Sequence, residues 1–192
     1  MLSNEKYQLV PVEIKPYLLP FIALEFEVKE QAIYGNLMAK IIDISTKTTL
    51  GKMIRLMCVK SGVPFKKTDK YTIFLRIENK PNLKKWEGKL YKMESGKYSF
   101  LKLSEEGMLL LNSHMENIFS MSLLYFLEGY LSRNPDQGLR KGIDLFMIKY
   151  DLYKYEIDPE TIRRKFYRYR QENKRINFFQ QTPKKPKAHV TT

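Results

Sequence analysis

The chain has 192 residues, 43 % of them apolar, with thirteen Tyr and eleven Phe, which is enough to bury a real core and excludes a wholly disordered protein. Its 34 basic and 21 acidic side chains give a formal net charge of +13. The excess is local: residues 161–192 hold ten basic groups against Glu172, a net of +9, which leaves only +4 for residues 1–160.

In chain order, residues 7–12 read as a short extended piece, and Ile14 to Val28 as an apolar helix if Pro16 and Pro20 fall in its first turns. Thr48 or Thr49 caps a second helix with Leu50, Ile54, Met57 and Cys58 on its apolar face, stopped by Gly62 and Pro64. From Tyr71 the period changes to two, with Tyr71, Ile73, Leu75 and Ile77 alternating with Thr72, Phe74, Arg76 and Glu78. Residues 86–93 and 97–103 are two further runs joined by Glu94-Ser95-Gly96, a connection of hairpin length, so three antiparallel strands are predicted.

Ser104 then caps a densely apolar stretch, 108–131, in which Leu110, Leu111, Ile118, Met121, Leu124, Leu127 and Leu131 recur at helical spacing in one helix or two consecutive ones. Any exposed surplus on it is expected to serve as a dimer face. Residues 134–138 break the pattern, after which Leu139, Ile143, Phe146, Met147 and Tyr150 form the stripe of an amphipathic helix. Asp158-Pro159-Glu160 supplies a cap acceptor, a proline at the first helical position and an acid in the positive first turn. The helix it starts is predicted to run to about Lys174, burying Ile162, Phe166 and Tyr169. Beyond it, the run Thr182-Pro183-Lys184-Lys185-Pro186-Lys187 is not helical.

These elements define an α+β protein: a mixed region over 1–104 with a small antiparallel sheet of about three strands, a helical region over 105–176 with a long apolar helix and a helix-turn-helix-like unit, and a flexible basic tail over 177–192. Cys58 has no partner for an intramolecular disulfide and reads as a core residue. No basic-then-apolar leader opens the chain, and Asn112, Ser113, His114, Glu116, Asn117 and Glu128 interrupt the longest apolar region, which argues against a membrane span. An intracellular location, cytoplasmic or nucleoid-associated, is the expectation.

Seven basic residues between 163 and 175 interleave with Phe166, Tyr167 and Tyr169 on the last helix, and concentrated positive charge on a regular element attracts a polyphosphate because each neutralised phosphate releases condensed counterions. The expected partner is therefore nucleic acid, foremost duplex DNA. Helices at 139–151 and 159–174 have the lengths of a helix-turn-helix, whose second helix presents its N-terminal half to base edges. Those residues are Arg163, Arg164, Tyr167 and Arg168, joined by Gln171, with Lys174, Arg175, Lys184, Lys185 and Lys187 as sequence-independent phosphate contacts. The segment Ile157-Asp158-Pro159-Glu160-Thr161-Ile162-Arg163-Arg164-Lys165-Phe166 resembles the recognition helix of DeoR-type winged-helix repressors and, more loosely, helix-turn-helix proteins of phages and mobile elements. The resemblance implies DNA binding. The seven-residue connection 151–157 is longer than a compact turn, and no hairpin follows to act as a wing, so a repressor with a small-molecule sensor domain is not expected.

The alternative is an assembly subunit of a phage particle or other complex, in which residues 159–187 reach a neighbouring copy or a packaged genome in the virion. A third reading, a Mg²⁺-dependent nuclease, rests on Asp69, Glu78-Asn79-Lys80 and Glu87-Gly88-Lys89, an acid-and-lysine spacing that metal-assisted phosphodiester cleavage uses. The aromatic strands, with Tyr71, Phe74, Trp86, Tyr91, Tyr98 and Phe100 beside lysines, offer stacking rings for single strands if exposed. The sequence contains no Gly-rich phosphate loop and no metal-spaced His/Cys cluster; neither cofactor nor resident metal is expected.

Overall fold

The computed structural model describes residues 7–32, 38–61, 72–78, 100–155 and 157–171. They form an α+β fold built on strands β1 (Tyr7–Glu13), β2 (Lys29–Ala32), β3 (Met38–Ile44), β4 (Cys58–Ser61), β5 (Thr72–Glu78) and β6 (Phe100–Leu103). The helices are α1 (Leu18–Glu25), α2 (Thr49–Met57), α3 (Glu105–Arg133), α4 (Gly138–Lys149) and α5 (Pro159–Gln171).

The alternating run beginning near Tyr71 is strand β5, but its neighbours are not the ones its sequence position suggests. The four-stranded sheet has the order β1-β5-β3-β2, with β1 antiparallel to β5 from Tyr7↔Glu78 to Glu13↔Thr72 and β3 parallel to β5 from Lys40↔Ile73 to Ile44↔Ile77. The sheet is thus mixed. Ile73, Leu75 and Ile77 of β5, Val10 and Val12 of β1, and Ile42 and Ile44 of β3 face the main core. On the opposite face Ala39, Ile41 and Phe74 are buried together, beside the Arg76 fork on Asp43. Phe74 is therefore a core ring rather than a stacking platform. The expected strand at 86–93 lies outside the described residues, and the run ending at Leu103 pairs as β6 with β4, Cys58 facing Leu103.

The helix expected over Ile14 to Val28 is confined to Leu18–Glu25. Pro20 occupies its third position, where an N–H has no intrahelical partner to lose, and Pro16 precedes it. Glu27, at φ 49°, ends the segment before β2. Of the two threonines, Thr48 is the cap of α2: its Oγ1 accepts from the Gly51 N–H at 3.1 Å and donates to the Ser45 carbonyl at 2.8 Å. The helix stops at Met57, short of Gly62, because Cys58 turns directly into β4. Burial pushes the Cys58 thiol up to about 12, against a smaller opposing effect of Arg55, as suits an inert core residue.

Gly51 is required by contact. A Cβ there would lie 2.1 Å from the Ser45 carbonyl oxygen, a backbone atom with no rotamer to yield. Gly51→Ala is expected to lower stability by about 1–2 kcal/mol despite the better helix propensity of alanine, as overpacking does. A urea midpoint equal to or above that of the parent chain rejects the close approach.

Ser104 caps α3 through a bond from the Gly107 N–H at 3.0 Å, and Glu105 and Glu106 occupy the positive first turn. The apolar region is a single helix of 29 residues, roughly 44 Å long at 1.5 Å per residue. Leu111, Met115, Phe119, Leu123 and Leu127, four apart, are its buried seam. Phe119 packs edge-on against Phe21 of α1 (5.3 Å) and Phe146 of α4 (5.7 Å), joining three helices at one point. The predicted stripe of α4 is buried as expected at Ile143, Phe146, Met147 and Tyr150. Among the described residues no helix is long and apolar enough to cross a membrane.

Candidate nucleic-acid interface

Helix α5 begins where the Asp158-Pro159-Glu160 signal places it: Asp158 Oδ1 accepts from the Glu160 N–H at 3.1 Å. Ile162 and Phe166 are fully buried in the main core. Between them Lys165 turns inward, its Nζ bonded to Glu116 of α3 at 2.9 Å and lying 5.4 Å from the centre of the Tyr17 ring. Tyr169 accepts a bond from the Ser120 hydroxyl of α3 at 2.9 Å. The inner side of α5 is thus fixed by apolar contact, an ion pair and a polar bond.

Glu116 is the junction for that attachment. Lys15, Tyr17 and Lys165 all donate to its carboxylate, tying the segment after β1 and helix α5 to the middle of α3. Burial works to raise its pKa, but the three hydrogen bonds and the charge of Lys165 outweigh it and hold the carboxyl at about 2. Burial and the neighbouring Glu116 together push the Tyr17 hydroxyl far above its ordinary value.

Residues 160, 163, 164, 167, 168 and 171 are spaced i, i+3, i+4, i+7, i+8 and i+11, which places them on one stripe of α5. Arg163, Arg164, Tyr167, Arg168 and Gln171 are all exposed there. The structure therefore brings together the five predicted residues within its described part; Lys174, Arg175, Lys184, Lys185 and Lys187 lie outside it. Arg170 is also exposed. Glu160 is the one acid in α5, and it grips both leading arginines, with Arg163 Nε at 2.9 Å and Arg164 Nε at 3.3 Å.

The long connection before α5 is packed in place. Leu152 and Ile157 are buried, Tyr153 donates to Asp144 of α4 at 2.9 Å, and Leu152–Tyr155 form a short 3-10 turn. An open cleft of about 490 Å³ lies between α4 and the start of α5, lined by Arg140, Ile143, Asp144, Tyr153, Pro159, Glu160 and Arg163. Arg140 of α4 and Arg163 of α5 thus line one cleft, together with the acids Asp144 and Glu160. The only sequence signal for Arg140 is its place beside the apolar stripe of Leu139 and Ile143.

Glu78 ends β5, while Asp69, Lys80, Glu87 and Lys89, the rest of the acid-and-lysine set, lie outside the described residues. Comparison of the chain with protein-family models, with curated proteins and with solved structures gives no match.

Proposed function

We propose that this protein binds duplex DNA without catalysing a reaction on it, using the outer face of α5, as a regulator, replication accessory or architectural factor. The observation that carries this reading is the division of one helix into two faces. Ile162, Lys165, Phe166 and Tyr169 are committed to the interior, and the outward stripe holds Arg163, Arg164, Tyr167, Arg168 and Gln171 with Glu160 as its one acid. Guanidinium forks suit both phosphate and the paired acceptors of guanine, and tyrosine adds a stacking ring and a hydroxyl. Helices α4 and α5, of 12 and 13 residues, have the lengths of a helix-turn-helix in which the first helix crosses the DNA backbone and the second enters the major groove.

The test is the triple variant Arg163→Ala, Arg164→Ala, Arg168→Ala, measured by anisotropy of labelled duplex across a salt series. Binding is expected to disappear, with the far-UV dichroism and melting temperature close to those of the parent because all three side chains are exposed. In the parent, affinity is expected to fall steeply with salt, by a log–log slope of about 0.9 per neutralised phosphate. Undiminished binding by the triple variant takes α5 out of the interface. Single-stranded and RNA probes in the same series separate duplex recognition from a general attraction to polyanions.

A second reading, a subunit of a phage particle or similar assembly, draws on the exposed apolar side chains Leu56, Leu109 and Leu110. A large, stable oligomer that forms without DNA and ignores it would favour that reading.

A further inference from the structure

We infer that Glu160 is an internal competitor for the DNA phosphates that Arg163 and Arg164 would otherwise hold, and so limits sequence-independent affinity. The inference rests on the reading of α5 as the DNA-binding face. One carboxylate engages both guanidiniums: its Oε1 accepts from Arg163 Nη2 at 3.1 Å and Arg164 Nε at 3.3 Å, and its Oε2 lies 2.9 Å from Arg163 Nε as an ion pair. A phosphate oxygen pair offers the same two-acceptor geometry to the same donors. For either arginine to grip the backbone, the carboxylate must be displaced and then remain as a negative charge beside the incoming phosphates.

The pairing restrains binding but does not forbid it. Arg163 and Arg164 side chains are 54 % and 75 % exposed, and exchange of one exposed ion pair for another involves small energies. Glu160 is also in the first turn of α5, where its charge favours the helix N-terminus. Loss of the charge therefore has two effects of opposite sign: the helix is less stable, and two guanidiniums are released for DNA. A residue that merely supported the helix would lower stability and affinity together.

The experiment compares the parent full-length chain with Glu160→Gln and Glu160→Ala on a labelled duplex of random sequence, with Asp151→Asn as the charge control. Asp151 pairs with Lys154 on the connection and has a positive φ of 50°, which asparagine tolerates. Both Glu160 variants are expected to bind roughly 3–10-fold more tightly, with a salt slope steeper by about 1, and to melt at a lower temperature. Asp151→Asn should stay within about twofold of the parent, since the ion pair of Asp151 is with Lys154 on the connection and not with an arginine of α5. Unchanged or weaker binding by the Glu160 variants overturns the inference, as does an equal gain in Asp151→Asn, which would reduce the effect to net charge. The DNA-binding reading fails on separate grounds: a parent chain that binds no duplex, or a triple arginine variant that binds as the parent does, removes that reading and this inference with it.

Discussion

Phe146→Ala is expected to lower unfolding stability by about 3–5 kcal/mol, the cost of truncating a fully buried aromatic whose surroundings collapse only in part. Phe146 is 0 % exposed and lies 5.7 Å from the Phe119 ring, 5.4 Å from Phe126 and 4.8 Å from Tyr150. Two of those rings belong to α3, and the third ends α4 and donates its hydroxyl to Glu25 of α1 at 2.7 Å. The cavity thus opens where α4 is seated on the rest of the protein, and aromatic pairing adds to the loss from area alone. The total is a large fraction of the 5–15 kcal/mol that typically holds a domain together. The measurement is a urea titration, in which the midpoint drops while the slope stays that of the parent. A loss below about 1 kcal/mol is incompatible with a packed ring at this position.

The three helices that build the candidate interface were legible in the sequence because their signals are local. Ser104 and Asp158 cap within three residues, the 134–138 breaker contains Pro135 and Gly138, and the α4 stripe repeats at helical spacing. Strand β3 left no comparable mark. Its Ile41 and Ile42 face opposite sides of the sheet and are both buried, so the alternation that identifies a half-exposed strand is absent. The pairing of β3 with β5 is parallel and non-local, and nothing in either segment specifies the other. Likewise α2 carried a stop at Gly62, but the demand of β6 for a partner starts β4 at Cys58.

The candidate interface shows the same division. Exposure of Arg163, Arg164, Tyr167, Arg168 and Gln171 follows from the positions of Ile162, Phe166 and Tyr169, because fixing one face of a helix fixes the other. The charge count alone gave Lys165 the same standing as the arginines around it. Helical spacing already sets it apart from the outward residues Arg163, Arg164, Tyr167 and Arg168, and the docking of α5 on α3 supplies its partner, Glu116, 49 positions away in sequence. The place of Arg140 is tertiary in the same sense, since it depends on how α4 and α5 enclose their shared cleft.

Glu116→Gln is expected to destabilise the protein by on the order of 2–3 kcal/mol at neutral pH, and the penalty is expected to vanish in acid. In the unfolded chain the carboxyl titrates near its ordinary value of 4.5, whereas in the folded protein it stays ionised down to about 2. Between those values the unfolded state binds more protons, so lowering the pH pulls the equilibrium toward unfolding. The contribution is complete above about pH 5 and is lost as the pH falls through about 2, below which both states are protonated. Other carboxylates titrate in this window too, so the informative quantity is the difference between the parent and Glu116→Gln stability curves. That difference should hold above about pH 5 and narrow as the pH falls through 4.5 to below 2; a constant gap would mean that the penalty comes from packing. Glutamine keeps the size of the side chain but leaves Lys165, 17 % exposed, and Lys15 without their shared counter-ion. Because Lys165 is the charged link between α5 and α3, the variant should also loosen the basic helix. Amide exchange across residues 162–171 is expected to quicken more than across α4, whose seat depends on Phe146 and Tyr150 rather than on Glu116.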